Sequence, residues 1–326
     1  IEVRMREGTQ YRINKVTVEG NTITNDKIIM RELYTRPGDL YSKDLVMRSL
    51  RELAAMQFFK QESLVPDIKP NDNGTVDITY QVEEQSTSQI SISGGYGAGM
   101  IIGTVGLSFN NFSIRNIFNT KTWNPLPSGD GQQLSLSAQT NGEFYYSVNL
   151  GFTEPWLGGK KPQALSVNIY HNLWSNGYYY EKGSDMYYSM RMTGGGVSLA
   201  KRLTWPDNYF ILSQGLVFRR YDVDNYTAFV FSDGIANDLN YNATLSRNSF
   251  DSPIYPLSGS EISLGLQITP PYSLMNGKDY SGLSEQERYN WLEYYKVNIK
   301  GSWMFNLAGN LVLNTPKSTN GIILTY

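Results

Sequence analysis

The chain contains no cysteine and only one histidine among its 326 residues. Disulfide frameworks and thiolate metal centres are thereby excluded, and a His-based zinc or catalytic site lacks its partners. The lack of cysteine is compatible with the bacterial periplasm and outer membrane. No stretch reaches the ~18 to 20 uninterrupted apolar residues of a membrane helix, and mean hydropathy is negative. An α-helical membrane protein is therefore excluded, whereas a β-barrel is not, because half of each membrane strand is polar. Nor is there an excess of one charge: the net value of −2 gives no reason to expect a nucleic-acid partner.

What the chain does have is aromatic residues, 13% of the total with 24 Tyr, and an alternating pattern. From Ile90 to Leu313, segments of about ten residues interleave apolar with small or polar side chains, between Gly/Pro/Asn/Asp-rich breaks. Phe144, Tyr146, Val148, Leu150 and Phe152 alternate with Tyr145, Ser147, Asn149, Gly151 and Thr153. Ile262, Leu264, Leu266 and Ile268 do the same against Glu261, Ser263, Gly265 and Gln267. A period of two means one apolar and one wet face. Many such strands in series would leave open sheet edges, and the wet face is too polar for a sandwich core. A barrel with lipid outside and water inside satisfies both faces. The pattern predicts that Phe144, Val148 and Leu150 face lipid and that Tyr145, Ser147 and Asn149 face the lumen. Strands are expected at about 89–97, 101–112, 131–141, 143–153, 163–174, 186–201, 208–222, 236–250, 260–270, 291–307 and 310–315. Connections at 175–185, 223–235 and 271–290 are long and polar. Those at 154–162, 203–207, 251–259 and 308–309 are short, with Pro or Gly, and 113–130 is an 18-residue exception on the short-turn side.

Residues 1–85 read as a separate module. Tyr11 to Glu19 alternates as a strand, and Thr24 is placed to cap a helix carrying Ile28, Ile29 and Leu33. Pro37-Gly38 stops that helix, and Ser42 is placed to cap a second with Leu45, Leu50, Leu53 and Met56. Phe58-Phe59 follow as core anchors. Gln61 to Ile68 and Thr75 to Glu83 form a hairpin around Asn71-Asp72-Asn73-Gly74. This β-α-α-β-β order, with Val18-Glu19-Gly20-Asn21, resembles a polypeptide-transport-associated (POTRA) domain. The resemblance implies a periplasmic module that binds passing chains at a sheet edge.

Two turns extend the resemblance to the remainder, residues 86–326. Phe152-Thr153-Glu154-Pro155-Trp156-Leu157 ends the fourth barrel strand. Arg247-Asn248-Ser249-Phe250-Asp251-Ser252-Pro253-Ile254-Tyr255-Pro256-Leu257-Ser258-Gly259 joins the eighth to the ninth. Both are similar to signatures of the BamA-like outer-membrane β-barrel assembly family. On the residues alone, Pro ends ladder pairing, Gly259 permits tight re-entry and Asp251 can cap backbone N–H groups. The family barrel has sixteen strands and a Val-Arg-Gly-Phe/Tyr loop. Neither that motif nor the last strands occur here, so the expectation is the membrane-proximal POTRA domain plus the first ten or eleven strands of a larger protein. The chain carries no signal peptide, as expected of a mature fragment, and whether 316–326 continues the eleventh strand is left open.

The resemblance implies a non-enzymatic insertase in the bacterial outer membrane, its N-terminal domain in the periplasm. It would fold and insert outer-membrane proteins, without cofactor, through a lateral gate at the first strand. The gate residues would be Gln89, Ile90, Ser91, Ile92, Ser93, Gly94, Gly95, Gly97 and Gly99, the glycines weakening strand pairing. Implied partners are nascent outer-membrane proteins, accessory assembly lipoproteins or other outer-membrane subunits, and outer-membrane lipid. A POTRA/barrel transporter of the two-partner secretion type, exporting a polypeptide, is the alternative; a passive porin fits less well. Gly94 to Gly99 lacks the Gly-Lys-Ser/Thr and helix of a phosphate loop. His171 reads as an interfacial polar residue. Asp222-Val223-Asp224-Asn225 fails EF-hand spacing and reads as solvated loop. Lys160-Lys161 reads as turn solvation, with anionic-lipid contact the lesser alternative, and the six Trp read as interface anchors.

Overall fold

The computed structural model describes residues 10–97, 100–123, 126–159, 161–177, 179–250, 256–277, 282–308, 311–315 and 317–324. The chain divides into two compact units, Ile1–Gln89 with Ser108–Leu134, and Ile90–Leu107 with Ser135–Tyr326.

The first unit follows the expected β-α-α-β-β order. Strand β1 (Arg12–Glu19), helices α1 (Asp26–Met30) and α2 (Lys43–Ala55), and strands β2 (Val65–Pro70) and β3 (Thr75–Gln81) succeed one another, with a short 3-10 turn at Gln61–Ser63. The sheet order is β1-β3-β2, β1 parallel and β2 antiparallel to the central β3. A register shift between Ile13 and Lys15 lets Ile13 and Val16 both point inward, three positions apart, while Lys15 stays in water. Ile29, Leu53, Phe59, Ile78 and Tyr80 are all fully buried beside them. The Tyr80 hydroxyl pairs with Thr35 Oγ1 at 2.9 Å, so this buried polar tip is satisfied.

The helix starts differ from expectation. The residue preceding α1 is Asn25, not Thr24, and neither it nor Ser42 before α2 makes a side-chain cap bond. A distant carboxylate instead fixes the segment that leads into α1: Glu84 accepts the backbone N–H groups of Thr22, Ile23 and Thr24 at 2.6–2.8 Å. The Thr24 hydroxyl instead accepts from Asn111 Nδ2 at 2.8 Å.

That bond leads into the 113–130 exception, which belongs to this unit. Asn25 donates its backbone N–H to Gly129 O at 3.0 Å and its side-chain amide to Asp130 Oδ1 at 2.9 Å. Asp130, 4% exposed, also accepts from Ser113 Oγ at 2.6 Å and from Arg115 Nε and Nη2 at 3.0 and 2.6 Å. Glycine is required on both sides of it. A Cβ at Gly129 (φ 121°) would stand 2.6 Å from Ile23 O, and one at Gly131 (φ 68°) 2.9 Å from Ile28 Cγ2.

Burial works against ionisation of both Glu84 and Asp130, yet each carboxyl lies below its ordinary value. The Thr24 and Thr22 donors overcome burial at Glu84; Arg115, Ser113 and Asn25 overcome it at Asp130. With folded values depressed, their contribution is complete above the ordinary values of 4.5 and 3.8 and is lost as pH falls through the folded ones. Exchange protection of the Thr22–Thr24 amides should therefore fall on acidification below about pH 4, and this fall should disappear at those three amides in Glu84→Gln, where their acceptor no longer titrates.

In the second part of the chain β4 (Ser88–Gly97), β5 (Met100–Phe112), β6 (Gln132–Asn141), β7 (Tyr145–Glu154), β8 (Gln163–Ser175), β9 (Ser189–Arg202), β10 (Phe210–Asp224), β11 (Gly234–Asn248), β12 (Gly259–Ile268) and β13 (Tyr294–Ala308) are each paired with their sequence neighbours. Beyond β13 come β14 (Leu311–Asn314) and β15 (Lys317–Leu324), and both pair with it. Met304 faces Asn314 and Gly301 faces Lys317, the same antiparallel register on both strands, with a shift only nearer the turn, between Asn306 and Ala308. Residues 317–324 thus continue the eleventh strand.

The two faces separate as the pattern predicts. Val148, Leu150 and Phe152 stand opposite His171, Ile169 and Val167, and the row continues through Val197, Leu216, Tyr241 and Ile268. Many of these are exposed, Ile169 by 57% and Leu216 by 58%, which is the apolar band a bilayer covers. The opposite face carries Ser147, Asn172, Asn168, Asn242, Gln267 and Lys296 in the same ladders. Two of the long connections are not simply solvated. Helices α3 (Tyr272–Asn276) and α4 (Glu285–Arg288) form in the last, and Phe231, Val223 and Ala236 are buried with Phe229, Tyr289 and Leu292.

Candidate functional site

Strand β4 ends the sheet path, with β5 its one neighbour among the described residues. The proposed gate residues Gln89, Ile90, Ser91, Ile92, Ser93, Gly94 and Gly95 are exposed or half-exposed along it; Ile90 is 70% and Ile92 76% exposed. Gly99 lies outside the described residues. A Cβ at Gly94, Gly95 or Gly97 would meet nothing closer than 3.5 Å, and none of the three has positive φ. Neither space nor backbone conformation calls for glycine here. What glycine does supply is three positions, 94, 95 and 97, with no side chain to pack across the strand pair, hence weak pairing. Gly94 to Gly97 is extended strand rather than a phosphate-cradling loop.

The two turn motifs are structural clasps. Glu154 ends β7 and its Oε1 accepts the Trp156 N–H at 2.9 Å, while Leu157 N–H bonds Gln163 O and carries the chain past Pro155 into β8. Arg247, at the end of β11, joins three segments. Its Nε meets Asp207 Oδ2 at 2.9 Å and its Nη1 donates to Ser249 Oγ and Ser260 Oγ at 3.0 and 2.9 Å. Against a desolvation cost, the Tyr209 N–H and Arg247 hold the Asp207 carboxyl below its ordinary value. Asp251 lies outside the described residues, and Pro256 precedes the return into β12. Gly259 has φ 111°, and a Cβ there would stand 2.3 Å from Ser249 O. Gly259→Ala should therefore cost about 2 kcal/mol through backbone strain and clash, read as a lowered urea midpoint of the full-length protein in vesicles. An unchanged midpoint would mean the turn relaxes freely.

A polar network on the wet face escaped the sequence reading. Arg219 Nη1 pairs with Asp238 Oδ2 at 2.8 Å, and Asp238 also accepts from Tyr294 Oη at 3.1 Å and Asn240 Nδ2 at 2.9 Å. Tyr170 Oη accepts from Arg219 Nε at 3.1 Å. The Tyr170 ring occupies space above Gly194, where a Cβ would stand 2.9 Å from it. The Gly194-Gly195-Gly196 run beside a tyrosine on the neighbouring strand was the available signal. On the apolar face His171 bridges Tyr146 Oη (2.9 Å) and Thr193 Oγ1 (2.6 Å), a polar ladder suited to the membrane interface. Asp222 is ion-paired with Arg191 at 2.8 Å. Among the described residues no group of three His, Cys, Asp or Glu could hold a metal ion.

Residues 11–85 match the model of the POTRA family, described as surface antigen variable number repeat, and residues 128–324 match that of the Omp85 superfamily domain. The outer membrane protein assembly factor BamA of Neisseria meningitidis serogroup B is 21% identical over 95% of this chain and 36% of its own length. BamA from Haemophilus ducreyi lacking POTRA domains 1–3 superposes with a TM-score of 0.64 at 20% identity, over 97% of this chain and 56% of that one. CdiB from Acinetobacter baumannii gives 0.53 at 12% identity, over 98% and 53%. The chain spans 14% to 36% of the length of seven curated relatives that it matches. With a POTRA module, an eleven-strand antiparallel sheet of barrel type and a family match over more than half its residues, the chain belongs to the Omp85 superfamily of outer-membrane POTRA/barrel proteins.

Proposed function

We propose that the full-length protein is the central, non-enzymatic subunit of an outer-membrane β-barrel assembly machinery, and that β4 is its lateral gate. The observation that carries this reading is a first strand rich in glycine, where Gly94, Gly95 and Gly97 answer to neither a close approach nor a positive φ. When β4 parts from the final strand of the complete barrel, it offers unpaired N–H and C=O groups to a strand of the client. Each client hairpin is then paired before it meets hydrocarbon, which avoids a cost of several kcal/mol for every unsatisfied backbone group in lipid. Pairing and burial of the client supply the free energy, and no nucleotide enters. Nascent outer-membrane proteins are the clients; accessory lipoproteins or other outer-membrane subunits and lipid are the remaining partners.

A disulfide from Ser91→Cys or Ser93→Cys to the final strand of the full-length protein should stop client insertion while the barrel stays folded by gel mobility. Insertion at the normal rate by the locked protein would overturn the gate. Passage of a polypeptide across the membrane through the locked barrel would instead identify a POTRA/barrel transporter.

A further inference from the structure

We propose that the groove between the β7–β8 and β9–β10 turns binds the phosphate headgroup of an anionic phospholipid of the periplasmic leaflet. The groove encloses about 480 Å³ and is lined by Lys161, Gln163, Lys201, Arg202, Trp205 and Asn208. Both turns follow strands that return to the side on which β4 begins, which is the periplasmic side.

Strand register places the site against lipid. Lys201 stands opposite Gln163 on β8 and Leu212 on β10. It shares its face with Val197 and Leu199 of the apolar band, so it forms the last, charged rung beneath an acyl-chain surface. Trp205 projects beside it, 81% exposed, as an indole does at the headgroup level. Lys161, Lys201 and Arg202 have neither an ion pair nor a side-chain hydrogen bond among the described residues. The nearby carboxylate of Asp207 is already held by Arg247. Two uncompensated lysines, Lys161 and Lys201, on the lipid side of one groove match one phosphodiester, with Arg202 bordering it from the alternate face of β9: ammonium heads reach the phosphate while their stems lie along apolar surface.

The test uses the full-length protein in mild detergent, with native mass spectrometry counting retained phosphatidylglycerol against phosphatidylcholine. The parent should retain phosphatidylglycerol preferentially. Lys161→Gln with Lys201→Gln should weaken retention roughly fivefold per lysine, and the Lys161→Arg/Lys201→Arg pair should restore it. Trp205→Ala should weaken both lipids alike. Equal retention by the Gln pair and the parent, failure of the Arg pair to retain the preference, or no preference in the parent would each overturn the proposal. Displacement of phosphatidylglycerol by excess inorganic phosphate would overturn it too, marking a free-phosphate site rather than a membrane contact. Insertion activity enters none of these readouts, so the site stands or falls apart from the gate.

Discussion

Leu150→Arg should lower the stability of the membrane-embedded protein by about 2 to 4 kcal/mol, and Asn149→Arg by far less. Leu150 lies midway along β7, opposite Ile169, with the apolar band on either side. A guanidinium there has no water and no partner. Asn149, opposite Tyr170, points to the wet face, where a charge keeps its hydration. Val148→Arg should fall between them, since Val148 pairs with His171 and its polar ladder and so lies nearer the interface, where the penalty declines. Urea unfolding in lipid vesicles measures the series. Equal losses at 149 and 150 would defeat the assignment of faces.

Removal of the Asp130 carboxylate should be comparably severe and unequal between its partners. Asp130→Ala leaves the hydroxyl of Ser113, fully buried, without its acceptor and removes one acceptor from Asn25 and from Arg115. The expected loss is about 3 kcal/mol, two hydrogen bonds from Ser113 and Asn25 to a charged group at about 1.5 kcal/mol each. Arg115→Ala should cost about 1 kcal/mol or less, since its side chain is 74% exposed and Ser113 and Asn25 still satisfy the carboxylate. Hydrogen exchange in the full-length protein should locate the Asp130→Ala effect at Ile23–Asn25 and Gly131. Matching losses for both variants would mean that the ion pair, not the buried hydrogen bonds, holds the segment.

Local periodicity carried most of this structure. Alternation along Phe144 to Thr153 was enough to assign faces because a strand's period does not depend on its partners, and Gly259 was legible because few residues other than glycine re-enter a strand that tightly. Thr24 and Ser42 looked like caps, as Ser and Thr before a helix usually do. Yet neither caps its helix, and the carboxylate that holds the approach to α1 is Glu84, sixty residues from Thr24, so no window of sequence contains both. The Asn25–Asp130 bond spans 105 residues, so 113–130 read only as a turn too long for its place. The Ser128-Gly129-Asp130-Gly131 run was a usable sign, an acid held between two positive-φ glycines, but it says nothing about what it touches. The glycine-rich character of β4 was visible as composition; its pairing with β5 came from the structure.

Because Asn111, Gly129, Asp130 and Gly131 meet Thr24, Asn25 and Ile28 inside one compact unit, the exchangeable part of this protein is discontinuous in sequence. A chimera that grafts residues 10–85 of a relative onto this barrel separates donors from acceptors at Thr24–Asn111 and at Asn25–Asp130. One that moves 10–89 together with 108–134 carries both halves of each bond. Divergence should obey the same constraint, with substitutions around 23–28 accepted in step with those at 111 and 128–131, two stretches of the gene that mutate separately and are tolerated together.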